Sequence, residues 1–191
     1  MLLGKSASGK DSALRAIKEE MKDEVIPIIM YTTRPKRDGE IEGEEYHFIN
    51  EPTRYSMLMR NEVIEERCYK TVFGDWYYLT SKEDIDLEHH SYVIIGTLEV
   101  LSSFRKIYGS DVVSIYIYAD DKTRLLRSIE RSTGTKLNLR EICRRYLQDE
   151  DDFDDQKVAS SRINVILPNN KTIKDCTDCI ITYMRTKLNL V

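Results

Sequence analysis

The segment Gly4-Lys-Ser-Ala-Ser-Gly9-Lys10-Asp11 constrains this chain more than any other stretch. It follows the apolar stub Met1-Leu2-Leu3 and precedes helical periodicity over 11–21. It fits the first seven positions of the phosphate-loop pattern G-x-x-x-x-G-K-[ST] and misses the eighth. In that pattern small residues let consecutive backbone N–H groups point inward at phosphate oxygens, the helix start adds partial positive charge, and the lysine reaches the terminal phosphates. Gly4, Lys5, Ser6, Ala7, Ser8, Gly9, Lys10, Asp11 and Ser12 are therefore the candidate ATP-binding residues, with Lys10 as a catalytic candidate. A core strand normally has about five residues, so the three before Gly4 predict that a few native residues are missing from the start.

Asp11 stands where the pattern places Ser or Thr. A carboxylate there can hold magnesium directly or through water, yet it also brings negative charge towards a triphosphate. Lys5 offsets part of that repulsion. Ser12 offers a displaced hydroxyl, about 100° further round the helix. Asp11 and Ser12 are the metal candidates, and Mg2+ is the expected cofactor.

The rest of the chain alternates strands and helices. Apolar, β-branched runs at 25–31, 92–95, 112–118 and 163–167 read as strands. Helical periodicity marks 98–108, 122–131, 138–153 and 173–188. Between the second and third core strands lies a polar stretch, 32–49, with Arg-Pro, Asp-Gly and Glu-Gly turn signals. A short helix at 55–61 follows, then strands at 63–72 and 76–79 around a Gly74-Asp75 turn. Such alternation predicts an α/β fold, a mostly parallel sheet with helices on both faces. The insertion then overhangs the sheet's carboxyl end, where such sheets bind ligands.

At 191 residues one core is expected, without room for a second independent domain. Lys and Arg number 29 against 33 Asp and Glu, a net charge of -4, which argues against broad nucleic-acid binding. Neither a run of 18 apolar residues nor a basic, apolar, small-residue start is present, so no membrane association and a cytoplasmic setting are expected. Cys176 and Cys179 have no second Cys or His pair at zinc-finger spacing, and their surroundings predict buried or half-buried helical cysteines. His47, His89 and His90 read as surface histidines. The acidic run 149–155 reads as a solvated helix end, with a magnesium or regulatory role as the alternative.

After the second core strand comes Thr32-Thr-Arg34-Pro-Lys-Arg37-Asp-Gly-Glu-Ile-Glu-Gly43-Glu-Glu-Tyr46-His-Phe48. Two arginines three apart can clamp an anionic group, because the guanidinium fork matches phosphate geometry. Tyr46 can add a hydroxyl donor.

These segments, with the later Arg127 and Arg131, strongly resemble the guanylate kinase family, over most of the chain and most specifically in its first half. The resemblance implies a P-loop NTPase fold with a core (1–31, 86–121 and 154–191), a nucleotide-monophosphate-binding flap (32–85) and a helical lid (122–153). It implies transfer of the terminal phosphoryl group of ATP to GMP or dGMP. Arg34 and Arg37 resemble the arginines that hold the acceptor phosphate, and Tyr46 the tyrosine bonded to it. Glu65 resembles the glutamate that accepts from guanine N1-H and the 2-amino group, Tyr77 or Tyr78 the tyrosine of the family's Gly-Asn-Tyr-Tyr-Gly segment, and Thr80 a nearby base-reading hydroxyl. Arg127, Arg131 and either Arg144 or Arg145 resemble lid arginines that close on the transferring group, with Gly134 and the stretch 132–136 as the moving tip. Asn169 resembles the asparagine near adenine. The implied partners are small-molecule nucleotides, the chain acting as a monomer or homodimer.

Departures accompany the likeness. The family's serine near the end of the second core strand aligns with Met30 or Tyr31, and the stretch from Glu65 to Gly74 is about three residues longer than usual. The family's Asp-x-Asp at the end of the third core strand is replaced by Ile94-Ile-Gly96-Thr97-Leu98-Glu99, leaving Glu99 as the acidic candidate beside the acceptor. P-loop kinases for deoxynucleotides and phosphomevalonate resemble this chain in carrying Gly-Lys-Asp. Two other readings stand beside guanylate kinase activity. One is a kinase of the same fold for another (deoxy)nucleotide monophosphate. The other is an inactive guanylate-kinase-like interaction domain, against which Gly9-Lys10 and the lid arginines speak.

Overall fold

The computed structural model describes residues 1–71, 74–132, 139–170 and 172–188. In chain order its elements are β1 (Leu2–Leu3), α1 (Lys10–Glu20), β2 (Ile26–Pro27), β3 (Tyr31–Thr32), β4 (His47–Phe48), α2 (Glu51–Met59), β5 (Val63–Thr71) and β6 (Gly74–Ser81). There follow β7 (Tyr92–Val93), α3 (Leu98–Tyr108), β8 (Ile115–Tyr118), α4 (Asp121–Ser132), α5 (Leu139–Asp152), α6 (Asp155–Ser160), β9 (Val165–Pro168) and α7 (Ile173–Leu188).

β1, β8 and β9 pair in parallel, as do β2 and β7. A parallel bridge between Leu2 and Ile95 joins the two groups, with the Leu2 N–H donating to the Ile94 carbonyl at 2.8 Å and the Gly96 N–H to that of Leu2 at 3.0 Å. The result is one parallel sheet in the order β2-β7-β1-β8-β9. Successive strand residues face opposite ways, and the packing follows. Leu2, Ile115 and Ile117 bury against Ala13 and Ile17 of α1 and Ile180 and Ile181 of α7. Leu3 and Tyr116 point to the other face, towards Leu98 and Leu101 of α3 and Phe153. Helices thus cover both faces, as the alternation predicts. Ile180, fully buried in the first layer, should cost about 2–5 kcal/mol when cut to Ala, through lost transfer energy and the cavity left behind. Urea unfolding checks this as a lower midpoint at unchanged slope.

A second, smaller sheet has the order β4-β3-β6-β5. The run 25–31, read as one strand, serves both sheets. The Ile28 N–H still bonds Val93 of the core, whereas the Met30 carbonyl already accepts from the His47 N–H of the small sheet. The run therefore divides into β2 and β3. Gly74 and Asp75 do not form the expected turn: they open β6 and pair with Thr71 and Lys70 of β5. α6 is an element the sequence reading lacked. Asp154, in the acidic run, is its N-cap, accepting from the Gln156 N–H at 2.9 Å. Cys176 and Cys179 are both on α7 as expected; Cys176 is buried, but Cys179, three residues on, is exposed rather than buried or half-buried. No described helix is long and apolar enough to cross a membrane.

Candidate active site

The loop from Gly4 to Gly9 joins the carboxyl end of β1 to the start of α1. Gly4 and Gly9 have φ of 143° and 110°, a region that side chains rarely adopt. A methyl group at Gly4 would overlap the Ile117 carbonyl, and one at Gly9 the Asn169 side-chain amide. The loop is thus pressed onto β8 and the end of β9, and only glycine fits at these two points. Lys10 folds back over it, its ammonium donating to the carbonyls of Gly4 at 2.6 Å and Lys5 at 2.9 Å. Burial lowers the Lys10 pKa; Asp11 and Asp149 partly oppose that effect, and Arg124 and Arg131 add to it.

Two carboxylates of α5 reach the same loop. Asp149 accepts from the Ser6 N–H at 2.7 Å, and Glu150 pairs with the Lys5 ammonium at 2.7 Å. Arg124, almost fully buried on α4, lies 3.7 Å from Asp149, 3.3 Å from Glu150 and 3.4 Å from Asp121, with its guanidinium 5.0 Å from the Tyr146 ring. The acidic run is therefore not simply a solvated helix end. Its first two members bond the loop and Arg124, and Asp154 caps a helix.

A cleft of about 420 Å³ opens between the loop, the small sheet and α5. Gly4, Ser6 and Lys10 lie on its loop side; Met30, Tyr46, Arg67, Tyr69 and Tyr78 form the sheet side; Arg144, Arg145, Asp149 and Asp152 come from α5. Strand alternation places Glu65, Arg67 and Tyr69 on one face of β5. The Tyr78 ring meets those of Tyr46 and Tyr69 at centroid distances of 5.5 and 5.3 Å. Tyr77 faces the other way, with the Arg54 guanidinium 3.5 Å from its ring centroid. Of the two tyrosines left open by the sequence, Tyr78 is the one on the cleft.

Glu65 is nearly buried. Its carboxylate accepts from the Thr80 hydroxyl at 2.8 Å and from Arg67 Nε at 3.1 Å. Arg34 lies behind the tyrosine wall, its guanidinium 5.5 Å from the ring centroids of both Tyr46 and Phe48. Its fork grips Glu40 with two bonds of 2.7 and 3.0 Å. That pairing raises the Arg34 pKa and lowers that of Glu40, while burial raises that of Tyr46. Arg37 is exposed; its backbone N–H also bonds Glu40.

Asp11, Ser12 and Glu99 are exposed on the first turns of α1 and α3. Arg127 is half-buried on α4, with one guanidinium nitrogen buried and without a hydrogen-bond partner. Arg131 lines a second cleft, between α4 and α5, that reaches Ser6 and Asp149. Arg144 and Arg145 both bond Glu141, at 2.8 Å. Their bonds, that of Arg144 first, bring the Glu141 pKa down to about 2. The stretch 133–136, including Gly134, lies outside the described residues. Asn169 donates from Nδ2 to the Ser8 carbonyl at 2.7 Å, and its Oδ1 is buried without a partner.

Three neighbours of the loop and cleft escaped sequence reading. Arg67 was findable, since it lies two residues beyond Glu65 on a strand. Arg124 precedes Arg127 by three, one turn of the same helix. Asp149 carried no signal beyond its acidic run.

A glycine-bracketed loop between a buried parallel strand and a helix, with a second sheet inserted between core strands, defines a P-loop α/β fold. The guanylate kinase family model matches residues 1–179, and the chain belongs to that family. It is 27% identical over 138 residues to "Guanylate kinase 2, chloroplastic/mitochondrial" of Oryza sativa subsp. japonica, covering 71% of this chain and 47% of that protein. It is 28% identical over 131 residues to a guanylate kinase of Ehrlichia chaffeensis, covering 68% of this chain and 61% of that one. The chain thus spans about half to three-fifths of the length of these relatives. The crystal structure of guanylate kinase from Anaplasma phagocytophilum superposes with a TM-score of 0.63 at 21% identity, covering 98% of this chain and 85% of the other, and shares the fold.

Proposed function

We propose that this chain transfers the terminal phosphoryl group of ATP to a nucleoside monophosphate, with GMP or dGMP as the acceptor. The observation that carries this reading is that one cleft joins the phosphate loop to the Tyr46, Arg67 and Tyr78 wall, where Arg67 bonds the buried Glu65 and through it Thr80. The donor phosphates lie along the backbone of 4–9, reached by Lys10, and take over the Ser6 N–H from Asp149. The unpartnered Asn169 Oδ1 suits an amino donor such as that of adenine. On the acceptor side, Glu65 takes the guanine N1-H and 2-amino group. Tyr46 and Tyr78 meet the acceptor phosphate, with Arg34 and Arg37 supplying charge as Arg34 exchanges Glu40 for phosphate.

Magnesium fits the oxygen chemistry here. Asp11 adjoins Lys10 and supplies a hard ligand, with the Ser12 hydroxyl one residue on. Among the described residues no group of three or more His, Cys, Asp or Glu is placed to hold a metal. Magnesium typically takes one or two carboxylates together with phosphate oxygens and water. When bound, magnesium would offset the negative charge of the donor phosphates. The protein otherwise positions and stabilises. In-line transfer needs the acceptor oxygen aligned with the γ-phosphorus and the spreading charge met by cations. Lys10 is one such cation. Arg127, Arg131 and Arg144 supply more when the helices α4 and α5, acting as a lid over the flap of residues 32–85, close and exclude water. A cytoplasmic setting goes with this reading.

ATP consumption with magnesium against GMP, dGMP, AMP, CMP, UMP and dTMP tests it. Because a site built to bond a polar group rejects an analogue lacking it, guanine nucleotides should exceed AMP by roughly a hundredfold or more in kcat/KM. Glu65→Gln should lose most of that margin. Turnover confined to another acceptor would overturn the guanine assignment. Folded protein silent with all six would overturn the kinase reading in favour of a phosphopeptide-binding module.

A further inference from the structure

We infer that Arg67 is a specificity-determining residue that reads the acceptor base, donating to O6 and N7 of guanine beside Glu65; this rests on the guanine reading above. Arg67 is on the cleft side of β5, two residues from Glu65 and opposite Tyr78 in the β5–β6 ladder. Its Nε bonds Glu65 at 3.1 Å, which fixes the guanidinium plane beside the carboxylate. One terminal nitrogen donates to a thioether, Met30 Sδ at 3.2 Å, its one hydrogen bond among the described residues. Sulfur is a weak acceptor, so an oxygen or ring nitrogen brought into the cleft is a better partner than the one this donor has.

The pair matches two adjoining edges of one base. Guanine presents two donors, N1-H and the 2-amino group, next to two acceptors, O6 and N7. A carboxylate accepts from the first two, and a guanidinium is well shaped for the second two. Glu65 has the capacity, because each of its oxygens is engaged by a single protein donor, Thr80 on one and Arg67 on the other. Adenine keeps N7 but sets an amino group in place of O6 against Arg67, and an acceptor nitrogen and a C–H against Glu65, so it loses the O6 contact and both contacts to the carboxylate.

The test compares wild type, Arg67→Met and Arg67→Lys with three monophosphates: GMP, IMP and the 2-aminopurine ribonucleotide, which lacks O6 and with it the N1-H, so that the Arg67 contribution is read from the variants on that nucleotide. KM for GMP and for IMP should rise roughly tenfold or more in Arg67→Met, as expected for loss of a paired base contact. Arg67→Lys should recover part of that loss. Wild type should use the 2-aminopurine nucleotide poorly, and Arg67→Met should weaken it little further. A wild type that uses the 2-aminopurine nucleotide as well as GMP would overturn the inference without recourse to any variant. So would an unchanged KM for GMP in Arg67→Met, or an equal loss with all three, which marks a merely structural role. A wild type that uses no guanine nucleotide would overturn the guanine reading and this inference together. Use of GMP with indifference to Arg67 would sink the inference alone.

Discussion

Replacing Lys10 with Ala should lower phosphoryl transfer by about a thousandfold or more while leaving the protein folded. Removing a preorganised donor aimed at developing charge costs about two to three powers of ten in kcat, and in the proposed reaction Lys10 also holds the donor phosphates in the ground state. Stability should change by about 1 kcal/mol or less, because two effects oppose each other. The ammonium bonds the Gly4 and Lys5 carbonyls, but burial already disfavours its charge, so deleting it removes a desolvation cost along with two hydrogen bonds. Steady-state turnover beside a thermal melt separates the two effects. A variant that loses turnover only because it unfolds would contradict this account of the loop.

Arg54→Ala should lower stability strongly, although Arg54 lies away from the chemistry. Arg54 is nearly buried at the junction of α2 and the small sheet. It makes two bonds of 2.6 Å to Glu66 and one of 2.9 Å to Glu51, and it stacks on Tyr77. Truncation removes a nearly buried stem, three charge-assisted hydrogen bonds and the stacking on Tyr77, while the partly exposed Glu66 and Glu51 regain water, at a net cost of about 3 kcal/mol. In a chain of this length that corresponds to a fall of roughly 6–12 °C in Tm. Arg54→Met keeps the packed stem and should lose less. Since β5 carries Glu65 and Arg67, the Ala variant should also raise KM for the acceptor. A melt unchanged within about 2 °C, on the scale of an exposed pair, would place the arginine outside the sheet's support.

Much of this was legible in the sequence because local chemistry and tertiary role coincide. Gly4, Gly9 and Lys10 are demanded by the loop itself, and apolar runs with helical stretches between them can bury only as a covered parallel sheet. The closing helix from Ile173 to Leu188 shows the same agreement between periodicity and packing. Legibility fell where one stretch does two jobs. The run 25–31 is uniformly apolar, so nothing local shows that Ile28 pairs with the core and Met30 with the small sheet. Gly74-Asp75 looks like a turn on composition, yet both residues are held in a ladder by Thr71 and Lys70. The acidic run was hardest. A string of carboxylates reads as solvated, but Asp149 is drawn inward by the Ser6 N–H and Arg124, neighbours far from it along the chain. Arg34 teaches a related lesson: residue type suggests a phosphate clamp, but only the fold shows its fork on Glu40 and two rings behind it.

The central claim is that one cleft carries the terminal phosphoryl group from ATP to a guanine monophosphate. The most direct test is label transfer from γ-labelled ATP in the presence of magnesium, with products separated after incubation with GMP or dGMP. The account predicts label in GDP or dGDP, one per ADP formed, absent without acceptor and reduced by about a thousandfold in Lys10→Ala. Label released only as inorganic phosphate, or left in ATP by folded protein with either guanine acceptor, would contradict it.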